Sequence, residues 1–157
     1  MRNFIASAPG DQNIQTVRQL QQIQTTIDSI LVLVNQGFKD ARQSAPIVIT
    51  ELNSPLEILR LEIPVLPAGN YNFSVNFRAS YTGIGDQLFW EIQGTLAIGP
   101  FIQEAKAANE QIPQVYGSTF FWDGSPLTLV LVGSVAGPGS ADVIIEGAAL
   151  TVTRVLG

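Results

Sequence analysis

The sequence predicts a mainly β protein, in which an N-terminal α-helix of coiled-coil character precedes an antiparallel β-sandwich or barrel. Three observations carry this. Between residues 14 and 34 the apolar positions fall three and four apart, as on one face of a helix. From Ala45 onward the period drops to two and stays there. The two-residue pattern is cut into short runs by Pro, Gly, Asn and Asp, which is how a sandwich or barrel of many strands reads.

Residues 1–10 read as a flexible arm, with Pro9-Gly10 as a breaker. The end of Met1–Ala8 resembles a signal-peptidase site, but no apolar run precedes it, so no cleavage is expected. Asp11 suits a helix N-cap, and the helix is expected from about Gln12 to Asn35, stopping at Gly37. With Leu20 at heptad position a, Ile23 falls at d, Ile27 at a, Ile30 at d and Val34 at a. These mostly β-branched seam residues favour trimers or higher states over dimers. Upstream the frame slips: Ile14 and Val17 stand one residue out of phase, a stammer. Leu31, Val32 and Leu33 join Ile30 and Val34, so the last turn is apolar all round and should be buried all round. A helix packed on its own domain would carry a similar stripe. Residues 11–37 are accordingly expected to be a trimerisation stalk. Residues 38–44 are read as a polar connector, too short to behave as a flexible linker.

The β region, 45–157, opens with a strand over Pro46–Leu52, closed by Asn53-Ser54-Pro55. In the next strand Leu59, Leu61 and Ile63 alternate with Arg60 and Glu62, which puts Glu57 and Glu62 on opposite faces. Pro67-Ala68-Gly69 leads into the clearest strand. Tyr71, Phe73, Val75, Phe77 and Ala79 share one face, and Asn72, Ser74, Asn76, Arg78 and Ser80 the other. One buried and one wet face is the antiparallel pattern. A strand over Gln87–Ile98 follows, with Leu88, Trp90 and Ile92 alternating with Phe89, Glu91 and Gln93, broken at Gly99-Pro100. Residues 104–110 are weakly helical or a loop. Gln114–Trp122 is a strand ended by Asp123-Gly124, and Leu127–Val135 is so apolar that it should be buried on both faces. Residues 141–155 hold one or two closing strands.

Composition excludes much chemistry. There is no histidine and no cysteine, so Ser-His-Asp and Cys-His nucleophiles, zinc sites with nitrogen or sulfur ligands, and disulfides all fall away. A net charge of -5 without a basic cluster argues against nucleic acid as a partner. The apolar run 30–34 is far too short to span a bilayer. No spacing of acidic residues suggests a calcium loop, no glycine-rich segment suggests a phosphate cradle, and Asp86 and Asp123 suit turns. Catalytic residues, cofactors and metals are therefore all expected to be none, and the chain is read as no enzyme. Charged residues make up only 13%, against about 25% in ordinary soluble domains, so much of the surface is expected to be neutral or covered by a partner. Phe120, Phe121 and Trp122 form the most conspicuous aromatic cluster, a candidate surface contact for a neighbouring subunit or a glycan.

The stretch Gly69-Asn-Tyr71-Asn-Phe73-Ser-Val75-Asn-Phe77 resembles the G-x-Y-x-F-x-V strand of trimeric C1q/TNF-like jelly rolls. Gly147-Ala-Ala-Leu150-Thr-Val152-Thr-Arg-Val155 looks like the closing strand of such domains. The plan of a short helix feeding one compact β domain also resembles bacteriophage virion proteins: capsid decoration (cement) proteins, head fibres and short tail fibres. The resemblance implies an eight-stranded jelly roll over 45–157, trimerised about an axis that continues the helix. It further implies a structural protein on the capsid surface of a virion, with the major capsid protein lattice as partner. Phe4 and Ile5, apolar residues of an arm with no periodic partner, would be the capsid contacts. The alternative is a receptor- or glycan-binding fibre tip.

Overall fold

The computed structural model describes residues 9–138 and 141–155, with helix side chains described over 13–29. The chain forms two units, one ending at Gln36 and one spanning Gly37–Gly157. The first is the helix α1, Pro9–Gly37. It begins earlier than the sequence suggested: Pro9 opens the helix rather than breaking the chain, and Asp11 lies in the first turn rather than at the cap. A proline in the first turn costs nothing, because its missing N–H would have had no helical partner there.

Among its described residues the second unit holds nine strands: β1 Phe38–Arg42, β2 Ile47–Thr50, β3 Leu56–Ile63, β4 Gly69–Tyr81, β5 Gln87–Gly94, β6 Ile98–Glu104, β7 Gln111–Trp122, β8 Leu127–Ala136 and β9 Asp142–Arg154. One sheet has the order β1-β9-β4-β7, with β2 also on β9; the other has the order β3-β8-β5-β6. The antiparallel pairs are nested: β5 with β6, β4 with β7 around it, then β3 with β8, then β2 with β9, and β1 with β9 outermost. That is a long hairpin rolled onto itself, the jelly-roll arrangement of an antiparallel sandwich.

The alternation in β4 sets the core. Tyr71, Phe73, Val75, Phe77 and Ala79 are buried, and their odd-one-out neighbours face water or the sheet margin. Leu88, Trp90 and Ile92 of β5, Leu127, Leu129 and Leu131 of β8, and Val143, Ile145, Leu150 and Val152 of β9 complete it. At the β6/β7 side, aromatic rings bridge the sheets. Phe77 meets Trp90 edge-on at 5.3 Å, Trp90 stacks on Phe101 at 4.3 Å, and Phe101 tilts against Tyr116 at 4.9 Å.

Several expectations change. Residues 38–42, expected in a connector, form β1, paired with β9 from Phe38 opposite Thr153 to Arg42 opposite Ala149. The run expected over Gln87–Ile98 is two strands, β5 and the start of β6. Gly99-Pro100 does not end a strand, because β6 is an edge strand and the proline's missing N–H falls where no neighbour needs it. Glu57 and Glu62 do not point to opposite faces. A bulge between Glu57 and Leu59 inserts one residue and reverses the parity. Both carboxylates therefore reach Arg60, at 2.6 and 3.4 Å. The hydrogen bonds from the Arg60 guanidinium hold the Glu57 carboxyl below its ordinary range.

Along the edge of β9, β1 and β2 lie end to end, and a bulge at Gly147 separates their pairings. Gln43 fills the break. Its backbone N–H donates to the Ala148 carbonyl at 2.8 Å, its side-chain amide donates to the Ile145 carbonyl at 3.0 Å, and its amide oxygen accepts from Ala148 N–H at 2.9 Å. Gln43→Ala strands two half-buried backbone groups and is expected to cost about 1–2 kcal/mol, read as a lower urea midpoint with an unchanged slope.

Candidate interaction surfaces

Over residues 13–29 every helix side chain is exposed, the apolar ones included. Leu20 is 60%, Ile23 55% and Ile27 45% exposed. At about 100° per residue these three fall within a narrow stripe, while Ile14, nine positions before Ile23, lies roughly half a turn away. The frame slip read from the sequence thus appears as a stripe that winds off the seam at Val17 and Ile14. The polar side chains bond to their own helix. Thr25, Thr26 and Ser29 hydroxyls donate to the carbonyls of Gln21, Gln22 and Thr25 at 2.8–2.9 Å, and Gln24 donates to Asp28 at 2.8 Å. Such back-bonding satisfies the polar face locally and leaves it little to offer a partner helix. Ile30 and Val34 lie on the same continuous helix, but their side chains lie outside the described residues, as do Phe4 and Ile5 altogether.

The aromatic cluster on β7 does not act as one platform. Trp122 is buried, and its indole N–H donates to the Ser125 carbonyl at 2.6 Å. Phe120 is half-buried, stacked over Tyr71 and edge-on to Trp122 with centroids 6.0 Å away in each case. Phe121, opposite Asn70, points outward and is 69% exposed. The turn that follows is closed by Asp123, whose carboxylate accepts from Ser125 N–H at 2.9 Å; the Ser125 hydrogen bonds hold that carboxyl below its ordinary range. Asp86 closes the turn between β4 and β5, accepting from Gly83 N–H at 2.7 Å and the Thr82 hydroxyl at 3.3 Å. Among the described residues, no three acidic, histidine or cysteine side chains are grouped to hold a metal ion, and no helix is long and apolar enough to cross a membrane.

One surface was not foreseen. The sequence reads β8 as buried on both faces; on its outer face the structure buries Val130 but not the residues that follow. Leu127, Leu129 and Leu131 enter the core, while Val132 and Ser134 are half-buried on the outer face of the β3-β8-β5-β6 sheet. They floor a depression of about 240 Å3, walled by Pro55, Phe89, Glu91 and Pro100. The sequence held one signal for it: Phe89 alternates with Leu88, Trp90 and Ile92, so the strand's other face carries an aromatic ring.

No protein-family model matches the chain, and no curated protein matches it. Among solved structures, 30 chains are similar. One is Eiger TNF from S. frugiperda, with 9% identity and a TM-score of 0.47 over 76% of this chain and 94% of that one. The likeness is one of strand arrangement rather than of sequence.

Proposed function

We propose that the protein is a non-enzymatic structural component of a bacteriophage virion, a homotrimer that decorates the outer surface of a capsid. The observation that carries the reading is the exposed stripe Leu20, Ile23 and Ile27 on a helix where Thr25, Thr26 and Ser29 bond back to its own carbonyls. Apolar residues at seam spacing are stabilised by burial against equivalent helices. The nested sandwich supports a rugged outer domain, and jelly rolls recur in capsid proteins. The absence of histidine and cysteine from the sequence favours binding over catalysis. In this reading the partner is the major capsid protein lattice, and the contact is made by the segment preceding the helix, with Phe4 and Ile5 at its centre.

Three such segments on one stalk bind together, and an effective concentration near the millimolar range multiplies weak single contacts by about 10²–10⁴. Deleting residues 1–10 is therefore expected to leave a folded trimer that no longer binds undecorated capsids in a sedimentation assay. Retention of full affinity by the truncated protein would move the contact to the β unit. The second reading, a receptor- or glycan-binding fibre tip, draws on Phe121 alone, since Phe120 and Trp122 are committed to the fold.

A further inference from the structure

We propose that the depression on the outer face of the β3-β8-β5-β6 sheet receives an arginine side chain projecting from a partner protein. The proposal is independent of the helix seam and of the segment before it. Three features of the depression select that occupant.

The first is size. About 240 Å3 lies below the roughly 300–1,000 Å3 of pockets that hold drug-sized ligands, and suits a single large side chain. The second is the lining. Val132 offers an apolar floor, Pro55 and Pro100 offer rigid apolar walls, and Phe89 offers an aromatic ring. Phe89 belongs to none of the ring pairs among the described residues, so its face is not committed to the fold. A methylene stem is stabilised by such a floor, and a planar guanidinium by such a ring.

The third feature is charge. Cross-strand register sets Glu91 beside Val132, with Glu57 on its far side. Glu57 and Glu62 share Arg60, and Glu104 meets Lys106 at 3.0 Å. Glu91 makes no ion pair among the described residues; Gln93 donates to one of its oxygens at 2.5 Å. An acid without a cation at the rim of an apolar hollow favours a ligand that is apolar along its stem and cationic at its tip. The guanidinium fits better than an ammonium, because it stacks and pairs with a carboxylate in one plane. A neutral sugar would gain the ring but leave the carboxylate uncompensated.

The test is an NMR titration of the full chain, labelled at valine and phenylalanine, with N-acetyl-arginine methylamide and with its neutral citrulline analogue. The arginine probe is expected to give saturable shifts at Val132 and Phe89. Citrulline should bind at least about tenfold more weakly, as loss of a charge-assisted pair implies. Glu91→Gln should lower arginine affinity to the citrulline level, and Phe89→Leu should weaken it while keeping the apolar wall. Glu146→Gln, on the other sheet, should leave it unchanged. Equal affinity for the two probes, an undiminished response in Glu91→Gln, or tighter binding of methyl glucoside at the same resonances would each overturn the proposal.

Discussion

Ile27→Asp is expected to give monomers in multi-angle light scattering, at micromolar concentrations where the proposed seam would make the parent chain a trimer. Ile27 is an a position at the C-terminal end of the described exposed stripe, after Leu20 and Ile23. In a three-stranded seam the substitution places three carboxylates around one axis, each uncompensated and costing on the order of 3 kcal/mol. Ile14→Asp provides the contrast. Its position is roughly half a turn off the stripe, so trimers should persist. A parent chain that is already monomeric, or an Ile14→Asp variant as disruptive as Ile27→Asp, would remove the seam from the account. The sandwich itself should survive in either variant, because its core lies entirely within the second unit.

The second large effect is expected from Gly94→Ala, at the end of β5. Gly94 has φ +110, a region closed to side chains, and an added Cβ would sit 2.4 Å from the Thr128 carbonyl oxygen. That oxygen also accepts from Thr95 N–H at 2.8 Å, and the Thr95 hydroxyl accepts from Thr128 N–H at 2.9 Å. The obstacle is backbone fixed on both sides, so neither partner can move without losing those bonds. A loss of about 3–4 kcal/mol is expected in urea unfolding. Gly147→Ala isolates the conformational part: its φ is +63, but nothing lies within 4 Å of the added carbon. That change should cost only about 1 kcal/mol. Equal losses at the two positions would mean that the contact with Thr128 does not limit the strand.

The sandwich was legible wherever one residue followed another without interruption. In β4 thirteen residues alternate without a fault, and the structure buries the side that the pattern named. Reading failed where one residue changed the count. The bulge after Glu57 reversed the parity of β3, and nothing in Leu56-Glu-Ile-Leu-Arg60 announces it, since two adjacent apolar residues, Ile58 and Leu59, leave either one free to point inward. Punctuation misled in the opposite sense. Pro9 and Pro100 were read as stops, but a proline stops an element only where its missing N–H is needed, and neither a helix's first turn nor an edge strand needs it. β1 was hidden because Phe38-Lys-Asp-Ala-Arg42 is polar at three of its five positions without a two-residue alternation, and short; its pairing with β9 exists only in the folded chain. At the candidate surfaces, helical spacing marked the stripe Leu20, Ile23 and Ile27 that the structure leaves exposed. The β8 depression required knowing that Val132 and Ser134 are only half-buried on the outer face of their sheet.

The nesting of the strands has a consequence for how the protein is made. Among the described strands only β5 and β6 are neighbours along the chain that also pair; every other rung joins segments farther apart, and the outermost joins β1 to β9. Because β9 lies between β1 and β4, the sheet is split until that last strand emerges from the ribosome. The helix precedes every described strand in synthesis. Its apolar stripe is thus available to sister chains while the sandwich is still an open, slow-closing intermediate with unpaired strands. Polysomes translating this message hold nascent helices in proximity before any β unit can close, so strand exchange between neighbours competes with each chain's own closure.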